Sequence, residues 1–94
     1  MKVNKSDIVK SIAGRDKGRV FIVLDIQGEF LVLADGKLRR TEKPKTKKIK
    51  HTEFITVVNS SLKQKIINDE QVLNSEIRKT LSRYATQVAC EDQA

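Results

Sequence analysis

Arg15, Lys17 and Arg19 alternate through the stretch AGRDKGR, with Asp16 as its only acid and Gly14 and Gly18 on either side. Alternation lets the three cations share one side of a short loop. Arginine presents a planar fork matched to phosphate oxygens, and lysine adds a point charge. The two glycines allow positive φ and close backbone approach, while Asp16 can hydrogen-bond locally and hold the turn. Two readings of the loop stay open: a phosphate-contacting loop or a charged, solvated turn.

A second basic feature, KLRRTEKPKTKKIKH, covers residues 37–51. It contains Lys37, Arg39, Arg40, Lys43, Lys45, Lys47, Lys48 and Lys50, opposed only by Glu42. So dense a run repels itself, and a polyanion offsets that repulsion. The candidate phosphate-contacting set is these eight residues together with Arg15, Lys17 and Arg19. The run has no apolar helical face, which disfavours a membrane surface as the polyanion.

Other chemistries lack their residues. One His and one Cys supply neither a zinc set nor a nucleophile, base and orienter. Gly14 and Gly18 are not followed by the Lys-Ser/Thr of a nucleotide-binding P-loop. An enzyme is not expected, nor is a metal or cofactor. The aromatics Phe21, Phe30, Phe54 and Tyr84 are not interleaved with the basic run. Phe21 and Phe30 fall in strands read as core, so stacking platforms for unpaired bases are not expected. Backbone and shape recognition of folded or double-stranded RNA, or of a DNA surface, is the expected mode.

The elements that must position these residues divide the chain in two. Residues 1–51 hold 14 Lys and Arg against 6 Asp and Glu, a net of +8; residues 52–94 hold 5 against 6, a net of −1. All four glycines and the single proline lie in the first half. Short β-rich runs separate them: Asp7–Ile12, Arg19–Ile26 and Glu29–Ala34. Asp35-Gly36 favours a type I′ hairpin, leading into a thin edge strand over Lys37–Glu42. A last strand at Lys48–His51, or at Phe54–Val58, would close a small, bent barrel.

The second half is helical in pattern. Ser61 to Gln64 fits a capping box, and Leu62 and Ile66 are four apart. Ile77, Leu81, Tyr84, Ala85 and Val88 follow a second helical stripe, with Asn74 or Ser75 as its cap and Asn68–Glu70 as the break. The expected architecture is mainly β with C-terminal α: a barrel over 1–58 and a helical extension over 59–94, in one or two helices, packed on it. The single Cys90 precludes an internal disulfide and suits a reducing compartment. The start of the chain lacks the apolar core of a secretory signal, and a cytoplasmic protein is expected.

The segment Ile8–Ala34, IVKSIAGRDKGRVFIVLDIQGEFLVLA, resembles a KOW motif, with Gly18 in place of the characteristic glycine. The longer stretch from Val9 to His51 resembles the KOW-domain RNA-binding proteins of bacteria, which are related to archaeal and eukaryotic large-subunit ribosomal proteins. This resemblance covers about half of the chain. It implies an SH3-like barrel binding RNA, often ribosomal RNA, with Arg15, Lys17 and Arg19 facing it. KOW domains of transcription elongation factors also bind proteins, so a protein-interaction module is the alternative.

Overall fold

The computed structural model describes residues 3–58 and 60–93, with side chains as far as Tyr84. Five strands form one antiparallel sheet: β1 (Ile8–Ser11), β2 (Val20–Gln27), β3 (Phe30–Ala34), β4 (Lys45–Lys48) and β5 (Thr52–Thr56). Their order is β4-β3-β2-β1-β5, so β2 lies at the centre. Two helices follow, α1 (Ser61–Ile67) and α2 (Asn74–Gln93). No described helix is long and apolar enough to cross a membrane.

Strand alternation makes two cores. Ile8, Ile22 and Ala34 point to one face of the sheet and pack against Val58, Leu62, Ile66, Ile77 and Leu81. Val9, Phe21, Val23, Leu31 and Leu33 point to the other face and form a second cluster. This two-sided burial explains why β2 reads as an unbroken apolar run. The helices share the first core with the sheet.

Two register shifts bend the sheet. One lies in the β2–β3 pairing between Val23 and Asp25, the other in the β1–β5 pairing between Ile8 and Val9. An extra residue on one strand of a pair bends it and increases its twist. Among the described residues no ladder joins β4 to β5, and the sheet is open, with those strands at its edges. A short 3-10 turn, Ile49–His51, links them.

Several local expectations are corrected. Asp35 does not have the positive φ that a type I′ turn requires, although Gly36 does, at +75°. The Asp35 carboxylate instead accepts from the amides of Lys37 (2.9 Å) and Arg39 (2.8 Å). Those amides are thereby taken from any strand ladder, so Lys37–Glu42 is a loop and the edge strand begins after Pro44. The fifth strand, Thr52–Thr56, overlaps the second of the two ranges expected for it at residues 54–56 and starts two residues earlier.

Ser60, not Ser61, is the N-cap of α1, and its side chain makes no capping bond. The residue three positions on from Ser60 is Lys63, which carries no acceptor to complete a capping box. The break between two helices falls at Asn68–Glu70 as expected, with Asp69 at φ 56°. Ile77 and Leu81 form the buried stripe of α2. The side chains of Ala85, Val88 and Cys90 lie outside those described.

Candidate nucleic-acid interface

The loop between β1 and β2 is built around its acid. Gly14 and Gly18 have φ of +81° and +92°. The Gly18 amide donates to the Ser11 carbonyl (2.8 Å), and the Ser11 amide donates to the Arg19 carbonyl (2.9 Å). This narrow neck turns Asp16 inward, where it is buried, and leaves Arg15, Lys17 and Arg19 exposed.

Asp16 is bound from two directions. Ser11 Oγ donates to its Oδ1 at 2.9 Å. Lys47 Nζ lies 2.9 Å from the same oxygen, and Lys45 Nζ lies 2.6 Å from Oδ2. Lys47 also donates to the Ala13 carbonyl at 2.8 Å. Burial opposes ionisation of Asp16, but the contacts with Lys45, Lys47 and Ser11 outweigh it and hold the carboxyl well below its usual range.

The alternation of β4 explains which lysines reach inward. Leu31 pairs with Lys47 and Leu33 with Lys45, while Phe30 pairs with Lys48 and Val32 with Thr46. Directly paired residues share a face. Lys45 and Lys47 therefore lie on the side of Leu31 and Leu33, next to Asp16. Lys48 lies on the opposite side, with its Nζ 5.9 Å from the centroid of the Phe30 ring. Only 9% of the Lys47 side chain is exposed, so it is not the free surface cation that a solvated basic run implies.

The loop between β3 and β4 is tied to α2. Arg78 Nη1 donates to the Gly36 carbonyl at 2.6 Å. Asn74 Oδ1 accepts from the Thr41 amide at 2.8 Å, and its Nδ2 donates to Glu42 Oε1 at 2.6 Å. Gly36 sits so close to the helix that a Cβ there would collide with the Asn74 carbonyl. Hydrogen bonds from Thr41 and Asn74, with the nearby Arg40 charge, hold the Glu42 carboxyl below its usual range against a smaller effect of burial.

These ties bring the two loops to one open groove. Arg15 and Arg19 from the first loop and Arg39 from the second line it, with Phe21 and Leu38 as apolar lining and Lys45 beside Asp16. Leu38 is 61% exposed. Lys17, Lys37, Arg40 and Lys43 are also exposed, with Arg40 Nε 3.4 Å from Glu42. Lys48 and Lys50 line a different groove with Gly28, Glu29 and Ile49.

Sequence reasoning placed Arg15, Arg19 and Arg39 in two separate basic features, and the fold makes them neighbours. It missed Asn74 and Arg78 as supports of the second loop, and Gly36 as the point where helix meets loop. Asn74 drew notice only as a helix cap. It placed Phe30 in the core, whereas Phe30 is 38% exposed and Phe21 is 1% exposed. Among the described residues no three His, Cys, Asp or Glu side chains are grouped to hold a metal ion. No protein-family model matches the sequence, and no curated protein matches it.

Proposed function

We propose that this chain is a non-catalytic, KOW-type RNA-binding protein that grips the phosphate backbone of folded RNA through the arginine groove. The observation that carries the reading is the convergence of Arg15, Arg19 and Arg39, from two loops, on one groove. Three guanidinium groups around one cleft suit successive phosphates, each fork taking two oxygens. The exposed Lys17, Lys37, Arg40 and Lys43 add charge in the same two loops.

The resemblance to KOW proteins supports ribosomal RNA of the large subunit as the ligand, in the cytoplasm. It also supports reading the bent five-stranded sheet as a variant of an SH3-like barrel. The alternative, a protein-interaction module using the apolar face of α2, has less surface available, because Ile77 and Leu81 are buried against the sheet.

Titration of a fluorescent RNA hairpin across a salt series tests the reading. Wild-type affinity is expected to fall steeply with salt, with log K changing by about 0.7 to 0.9 per phosphate contact for each unit of log salt. Joint replacement of Arg15, Arg19 and Arg39 by Ala should lower the affinity and flatten that slope, with the melting temperature nearly unchanged. A flat wild-type slope overturns phosphate contact as the basis of binding.

A further inference from the structure

Phe30 opens β3 on the face that carries Val32 and Ala34. Ala34 is buried under the helices, but Phe30 lies at the far end of the strand and keeps 38% of its surface. An aromatic ring so placed is open to a second flat partner. Its surroundings are basic: Lys48 Nζ is 5.9 Å from the ring centroid, and Lys48 and Lys50 line the adjoining groove with Gly28, Glu29 and Ile49.

We propose that Phe30 and this groove form a subsite for one unpaired nucleobase, separate from the arginine groove. The inference rests on RNA binding as proposed above and adds an unpaired base to the ligand. The base stacks on Phe30, and the Lys48 ammonium moves from the ring to the phosphate of the same nucleotide. Lysine over an exposed aromatic face is only weakly held, so the exchange costs little. Lys50 supplies a second cation at the groove.

Glu29 tells base from backbone. Its carboxylate repels a phosphate but accepts a hydrogen bond from an exocyclic amino group, as carboxylates do from cytosine N4. Gly28 leaves the mouth open: at φ +62° it has no atom within 4 Å of where a Cβ would stand. The walls are fixed in advance, since the Ile49 amide donates to the Glu29 carbonyl at 2.9 Å and holds the hairpin tip against the 3-10 turn.

The chain contains no tryptophan, so Phe30→Trp places a single fluorescent reporter in the subsite. Its emission should be quenched by a short oligocytidylate and not by inorganic polyphosphate of equal charge. In parallel, Phe30→Ala should weaken binding of an RNA duplex with one bulged cytidine by about five-fold or more, the range of a lost base stack. Binding of the same duplex without the bulge should not change. Equal quenching by polyphosphate, or no quenching by oligocytidylate, overturns the subsite, as does an equal loss on the unbulged duplex. If wild type binds the unbulged duplex yet the Phe30 variants show neither response, only the subsite falls; if wild type binds neither duplex, the RNA reading falls with it.

Discussion

The two basic loops differ in what holds them. The loop before β2 is anchored to the sheet through its own buried acid: Asp16 reaches Lys45 and Lys47 on an edge strand. The loop before β4 has no buried acid: Asp35 folds its turn locally, and Asn74 and Arg78 of α2 anchor it from outside. Both present arginines to the same groove. The comparison shows that a basic run is not one functional unit. Within residues 37–50, Lys45 and Lys47 turn inward and hold the first loop through Asp16, while Lys37, Arg39, Arg40 and Lys43 stay exposed on a loop that α2 supports.

Removing the anchor of the second loop should have the larger effect, because that anchor also belongs to the core. A chain ending at Ser60 loses Leu62, Ile66, Ile77 and Leu81, which cover Ile8, Ile22, Ala34 and Val58. Burial of each large aliphatic side chain contributes about 1.5 to 3 kcal/mol, and domains are stable by only about 5 to 15 kcal/mol. The shortened chain should fail to give a cooperative melt followed by circular dichroism. A normal melt with RNA binding retained would make the helices an accessory and remove the basis of the comparison.

Next in size is Asp16→Asn. It leaves Lys45 and Lys47 close together without a counter-charge. Breaking a buried pair from one side typically costs about 3 to 5 kcal/mol. Lys45 is 23% exposed and can turn outward, so about 2 to 3 kcal/mol is expected. In the folded state the Asp16 carboxyl titrates below its ordinary value of 3.8. Near that pH the unfolded chain therefore binds more protons than the folded one. The contribution is complete above about pH 4 and is lost as pH falls below it. Urea midpoints measured between pH 6 and pH 2 should fall in wild type and fall less in Asp16→Asn. RNA affinity of the variant should drop although it gains a net positive charge. A rise in affinity would show that charge alone, not the anchored loop, governs binding.

The sheet was legible where burial left a pattern. VFIVLDIQ and FLVLA are β-branched or apolar on alternate faces, and both faces are covered, so the central strands could be read directly. KTKK was not legible as a strand because β4 carries no apolar residue. Its ladder with β3 and its two ion pairs to Asp16 hold it in place. Those pairs join positions about thirty residues apart and follow no local period. Arg15, Lys17 and Arg19 were legible as exposed cations since their alternation is local. The inward role of Lys47 was not, because one more lysine in a lysine-rich run looks like its neighbours. Phe30 was misread for the opposite reason: its neighbours in EFLVLA are core residues, and only the limited reach of the helices leaves it uncovered.

The smallest expected effect separates anchoring from contact in the second loop. Arg78→Ala removes the 2.6 Å bond to the Gly36 carbonyl while leaving the core stripe of α2 intact. Arg78 is exposed, so the loss of stability should stay near or below about 1 kcal/mol. Arg39 keeps its charge but loses the support of the turn that presents it, and RNA affinity should fall a few-fold. The salt slope decides what Arg78 does. If Arg78 only positions the loop, the number of phosphates contacted is unchanged and the slope stays that of wild type. If the slope drops by about 0.7 to 0.9, Arg78 itself touches phosphate, and α2 belongs to the binding surface rather than to its support.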